Sequence, residues 1–157
     1  FGGPALALGR GDLIRPIDLR LDLKVLLVPG QGGVSTASVF KRFAEDGGPS
    51  GARSRIDSFL RRSLSPGTLR NDLERAAIAE CPRLAEVARQ VRRSGRSSGA
   101  LQAAMSGSGS SFFLLFREED ARAGAARELH DAGLPSLRCS FVSKPSYERR
   151  FEIRSTG

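Results

Sequence analysis

The chain has 157 residues, of which 39% are hydrophobic and 27% charged, a composition that fits one globular domain with a real core and excludes a disordered or fibrous chain. Its longest unbroken apolar run, Phe112–Phe116, has the length of a strand and falls far short of a bilayer span, so no membrane partner is expected. The formal charge of +8 is almost all arginine, spread through Arg53, Arg55, Arg61, Arg62, Arg70, Arg75, Arg83, Arg89, Arg92, Arg93 and Arg96 with a single aromatic, Phe59, among them and no interleaved series for base stacking, which argues against nucleic acid as the partner.

The first residue is Phe1, and Phe1–Leu8 reads like strand sequence from the middle of a protein, with neither the charged start nor the cleavage site of a signal peptide. The expectation is a piece of a longer protein. Ala5–Leu8 and Leu13–Ile17 flank Gly9-Arg10-Gly11-Asp12, a hairpin signal. Leu23–Val28 is a second apolar run, stopped by Pro29-Gly30. After Gln31-Gly32-Gly33, either Ser35 or Thr36 is suited to cap a helix on which Val39, Phe40 and Phe43 share a face. Gly47–Gly51 is a break, and Ile56, Phe59, Leu60 and Leu64 carry the next amphipathic helix.

Asn71-Asp72-Leu73-Glu74 opens another helix, with Asn71 as cap and Glu74 completing a pair like a capping box. Pro82 begins a fourth helix, whose inner stripe is Leu84, Val87, Ala88 and Val91. The cluster Arg92-Arg93-Ser94-Gly95-Arg96 reads as solvated, and Ser94–Gly99 as a polar loop. Leu101–Ser106 and Ser111–Phe116 read as paired strands, Glu118–Ala132 as a helix stopped by Gly133, and Leu137, Cys139 and Phe141 alternate along a last strand. Strands paired largely antiparallel with helices grouped on one face define an α+β layer.

Cys81 and Cys139 stand far apart without metal-ligand spacing, so free thiols in a reducing compartment are expected, a bridge between them being left open by sequence. No metal site is expected. His130, the only histidine, falls near the end of a helical stretch, where a cation complements the helix dipole.

The segment richest in chemistry is Met105–Phe116, Met-Ser-Gly-Ser-Gly-Ser-Ser-Phe-Phe-Leu-Leu-Phe. Small hydroxyl residues interleave with Gly107 and Gly109, and successive N–H groups of such a loop can point into one concavity and hold a phosphate. A tight turn before a strand buried on both faces explains the same residues without a ligand.

Four segments together resemble a known family. They are Gly9–Pro16; Val28-Pro29-Gly30 with Val34-Ser35-Thr36 and Val39-Phe40; Asn71–Glu74; and Met105–Ser111. Their order and spacing are similar to those in the C-terminal half of the GHMP small-molecule kinases, and within that superfamily to the 4-diphosphocytidyl-2-C-methyl-D-erythritol kinases. The likeness runs from Gly3 to about Val142, and Ser143–Gly157 matches no pattern.

The resemblance implies a GHMP kinase C-terminal fold: residues 1–20 as a hairpin at the junction with an N-terminal ATP-binding domain of the same protein, 21–142 as the C-terminal domain and 143–157 as a tail. It implies ATP and Mg2+ as cofactors, held mainly by that other half, and a cytidine-diphosphate-linked methylerythritol of the non-mevalonate isoprenoid route as substrate. The family's glycine- and serine-rich ATP loop, lysine and catalytic aspartate have no counterpart in Phe1–Gly157, so no catalytic residue is assigned here and the chain alone is expected to be inactive. Ser106, Gly107, Ser108, Gly109 and Ser110 are implied to face the transferred phosphate. Phe40 is implied to stack on the cytosine, with Thr36 one turn before it. The implied location is bacterial cytoplasm or a plastid. Alternatives are another GHMP kinase, acting on homoserine or a mevalonate derivative, a basic interaction module without chemistry, and an RNA-binding domain.

Overall fold

A computed structural model describes residues 5–8, 12–16, 22–30, 32–48 and 69–142. The chain forms two compact units, Leu23–Cys139 and a second made of Phe1–Asp22 with Ser140–Gly157. In the smaller unit, β1 (Ala5–Leu8) and β2 (Leu13–Pro16) pair antiparallel, with Ala5 opposite Pro16 and Leu8 opposite Leu13. This is the hairpin expected around the Gly-Arg-Gly-Asp turn.

The larger unit runs β3 (Lys24–Val28), α1 (Thr36–Glu45), α2 (Glu74–Glu80), α3 (Arg83–Ser97), β4 (Gln102–Met105), β5 (Phe112–Phe116), α4 (Glu119–Asp131) and β6 (Leu137–Ser140). The strands form one sheet in the order β4-β5-β3-β6, and β5 is antiparallel to both β3 and β4. The helix expected around Ile56–Leu64 lies outside the described residues.

Pairing register explains why β5 is apolar throughout. Val28 stands opposite Phe112 and Leu26 opposite Leu114, and all four belong to the main core. On the reverse side of the sheet, Val25 pairs with Leu115 and Leu27 with Phe113. Both faces of β5 therefore carry apolar side chains, and the period-two signal vanishes. Helices α3 and α4 touch each other and both touch β5, so they share one face of the sheet. Between them and the sheet lie Leu84, Val91, Leu129, Phe112 and Phe116. Burying each such side chain is worth about 1.5–3 kcal/mol.

Sequence reading ended the Pro82 helix too early. Helix α3 continues through Ser97, and Ser94 and Gly95 are buried where a solvated loop was expected. Small size is the reason. A Cβ on Gly95 would lie 3.2 Å from Ala103 and 3.3 Å from Leu114, so the bare backbone seats α3 on the sheet. The Ser94 hydroxyl donates to Ala125 O at 3.2 Å and joins α3 to α4. Positions 84, 87, 88, 91, 94 and 95 form one continuous helical stripe that changes from large to small residues.

The capping box at α2 is also corrected. Leu73, not Asn71, stands at the N-cap, and Glu74 pairs with Arg92 of α3 rather than reaching back to Asn71, so Arg92 bridges two helices. Other arginines are similarly engaged: Arg89 with Glu86 at 2.6 Å and Arg122 with Glu119 at 2.6 Å. Arg122 is nearly buried and also donates to Val25 O at 3.3 Å and Cys139 O at 3.0 Å, bracing β3 and β6. Cys81 and Cys139 are free thiols. His130 lies in the last turn of α4, as expected.

Candidate active site

The glycine loop, residues 106–111, joins β4 to β5. Met105 and Phe112 face each other as the last pair of the β-ladder, and Ser106 N donates to Ser111 O at 2.9 Å just beyond it. Gly109 N then donates to Ser106 O at 3.1 Å and closes the turn. Gly109 has φ +93°, and a Cβ there would also lie 3.0 Å from Met105 Sδ, so glycine is required.

Three distant segments hold this loop. The first is the turn after β3: Gly30 N donates to Ser111 Oγ at 3.1 Å, and Ser110 Oγ donates to Gly32 O at 2.7 Å. The second is the start of α1, where Thr36 Oγ1 and Ser108 Oγ share a hydrogen bond of 2.9 Å. Ser35, not Thr36, caps α1 by accepting from Ser38 N, which leaves the Thr36 hydroxyl for the loop. The third is Asn71, whose Nδ2 donates to Met105 O at 2.9 Å and Gly107 O at 2.6 Å.

The loop is thus pinned yet not saturated. Ser108, Ser110 and Ser111 spend their hydroxyls inside the protein, whereas that of Ser106 has no partner among the described residues. The N–H groups of Gly107, Ser108 and Ser110 also lack partners there. Unpaired amides on a rigid small-residue loop suit an anion such as a phosphate group. Among the described residues no three His, Cys, Asp or Glu side chains gather as a metal site.

Phe40 stands four residues after Thr36 on α1, hence on the same face and about 6 Å further along the axis. Its ring is 52% exposed, while Val39 beside it is fully buried and Phe43 half-buried. Val39 and Phe43 thus serve the core, and Phe40 does not. For Asn71 and Asp72 the sequence allows a place near the substrate cleft but favours helix capping, and that preference passed over the bonds of the Asn71 carboxamide to the loop. The one signal for more was the place of Asn71 at the head of Asn71–Glu74, one of the four segments that carry the resemblance.

Comparison with known proteins places the fold in a family. The family described as "GHMP kinases C terminal" matches residues 53–134. The chain is 35% identical over 143 residues to the 4-diphosphocytidyl-2-C-methyl-D-erythritol kinase of Nocardia farcinica, covering 85% of this chain and 45% of that protein. It is 37% identical over 124 residues to the enzyme of the same name from Cutibacterium acnes, covering 74% of this chain and 38% of that one. A crystal structure of 4-(cytidine 5'-diphospho)-2C-methyl-D-erythritol kinase superposes with a TM-score of 0.64 at 28% identity, over 85% of this chain and 48% of the other. The α+β layer described above is the fold of a GHMP kinase C-terminal domain. The chain belongs to the GHMP kinases and corresponds to their C-terminal part. It spans about half the length, or less, of the relatives it matches.

Proposed function

We propose that the whole protein is an ATP-dependent kinase that phosphorylates a hydroxyl of 4-diphosphocytidyl-2-C-methyl-D-erythritol, and that this chain forms one wall of its cleft. The observation that carries the reading is that two of the segments behind the resemblance, Gly30 to Thr36 and Asn71, converge on a third, the loop from Ser106 to Ser111. The relatives' shared name supplies the substrate class. On this reading the enzyme works in bacterial cytoplasm or a plastid, and its N-terminal ATP-binding domain meets this chain near residues 1–20.

Phosphoryl transfer asks a protein mainly to align oxygens and neutralise developing charge. ATP, when bound, supplies the transferred group; Mg2+ is held by the other half. The Ser106 hydroxyl and the free N–H groups of Gly107, Ser108 and Ser110 donate to phosphate oxygens. Because the loop is already fixed, its dipoles need little reorganisation as charge develops. Gly109 shapes the turn that presents them. Phe40 stacks on the cytosine ring, and Thr36 orients the Ser108 hydroxyl.

The test is ADP release from ATP plus 4-diphosphocytidyl-2-C-methyl-D-erythritol, using this chain joined to its upstream segment. Phe40→Ala is expected to lower kcat/KM about tenfold or more, since stacking on a base is worth about 1–3 kcal/mol. Its melting temperature should hardly change, because the ring is largely exposed. The isolated 157 residues should show no turnover above the no-enzyme control. A folded, joined protein that is silent on this substrate would overturn the assignment and call for a panel with homoserine and mevalonate derivatives.

A further inference from the structure

The Asn71 carboxamide is fully committed. Its Oδ1 accepts from Leu73 N at 3.0 Å, and its Nδ2 donates to Met105 O at 2.9 Å and Gly107 O at 2.6 Å. The opposite assignment of oxygen and nitrogen would set an acceptor against two carbonyls, so the hydrogen-bond pattern fixes its orientation. One planar group thereby holds two alternate peptide planes of the loop, Met105–Ser106 and Gly107–Ser108.

A trans peptide points its N–H opposite its C=O. Holding Met105 O turns Ser106 N–H the other way, where it donates to Ser111 O. Holding Gly107 O likewise turns Ser108 N–H away from Asn71, and this amide has no partner among the described residues. The orientation of a ligand-facing donor is therefore set by a side chain that cannot itself share that donor's target. Resting on the reading of the loop as ligand-facing, we propose that Asn71 is the positioning residue of this site, aiming the Ser108 amide at an oxygen of the transferred phosphate.

Asn71→Asp separates this role from the local bond to Leu73 N. Aspartate keeps an acceptor for Leu73 N but sets a carboxylate oxygen against the two loop carbonyls. In the ligand-free chain, amide hydrogen exchange at Ser106 and Gly109 should quicken at least about tenfold, while Ala77 and Cys81, bonded within α2, keep their protection. In the joined kinase kcat should fall about a hundredfold, the scale set by losing one preorganised donor, with KM for the alcohol substrate within about threefold. Asn71→Ser, uncharged and able to accept from Leu73 N, should reproduce both effects if the aspartate protein is poorly folded.

Unchanged loop exchange, or a KM defect without a kcat defect, would overturn the proposal. A wild-type kinase silent on the substrate would refute the functional reading and with it the aim toward a transferred phosphate. The exchange result would still decide whether Asn71 holds the loop.

Discussion

Gly30 and Ser110 compete for one volume: a methyl group on Gly30 would sit 1.9 Å from Ser110 Oγ. That hydroxyl is also the donor to Gly32 O at 2.7 Å, so the turn after β3 and the glycine loop close upon each other across 78 positions of sequence. Gly30→Ala is expected to push Ser110 out of place and break this bond, at a cost of about 1–3 kcal/mol, as for overpacking elsewhere. Thermal unfolding of the chain should show the loss. Adding Ser110→Gly to the same protein should recover part of it by restoring room, whereas an unaltered melting temperature in Gly30→Ala would show that the two segments are not in contact.

Thr36 and Ser108 form the second clasp, and its worth can be isolated because valine has nearly the shape of threonine. Thr36→Val and Ser108→Ala should each cost about 1 kcal/mol, the net value of one hydrogen bond. For a chain of this size that is about 2–4 °C in melting temperature. The double variant should lose little more than either single one, because both remove the same bond. Full additivity in a double-mutant cycle would show that the hydroxyls do not meet.

These clasps also show which parts of the site were legible in the sequence. Strands and helices followed from apolar runs and stop signals, since β3, β5 and α4 each carry their own local pattern. The glycine loop was visible because small residues gathered at 106–111 ahead of an apolar run. What joins the loop to Gly30, Thr36 and Asn71 was not visible, because those bonds link residues 34 to 81 positions apart and leave no periodic trace. A capping reading satisfied Asn71 locally and concealed its second use. Ser94 and Gly95 misled for a related reason: polarity and small size read as loop where neighbouring elements needed a thin helix.

That thin helix gives a sharp stability test. Gly95 lies within α3 with its Cα facing Ala103 and Leu114, where a Cβ would already be at 3.2 and 3.3 Å. Alanine would gain helix propensity of about 1 kcal/mol while crowding these neighbours, so its net effect should be small. Gly95→Val has no such balance. Its branches have no space beneath α3, and a loss of about 1–3 kcal/mol is expected. Urea unfolding of both variants would measure it. A valine protein as stable as wild type would mean that α3 does not rest on β4 and β5.

Glu119 connects stability to pH. Its carboxylate accepts from Arg122 at 2.6 Å, and this hydrogen bond outweighs the opposing effect of desolvation and, with the charges of Arg122, Arg138 and Lys24, holds the acid below the ordinary carboxylate range. A carboxyl whose value is lower in the folded than in the unfolded chain contributes stability above its unfolded value, and loses it as pH falls through the folded one. Glu119→Gln should therefore weaken the chain at neutral pH and flatten the acid limb of the stability curve, the two proteins converging once Glu119 is protonated in both states. Because Glu119 is partly exposed, the difference should shrink as salt rises. Arg122→Met should do more damage. It abolishes the same pH-dependent contribution and also removes the donors to Val25 O and Cys139 O that brace β3 and β6, so its loss should persist at low pH, where that of Glu119→Gln has vanished. Denaturant midpoints for the three proteins from acid to neutral pH would check this, and parallel curves for wild type and Glu119→Gln would refute the pairing.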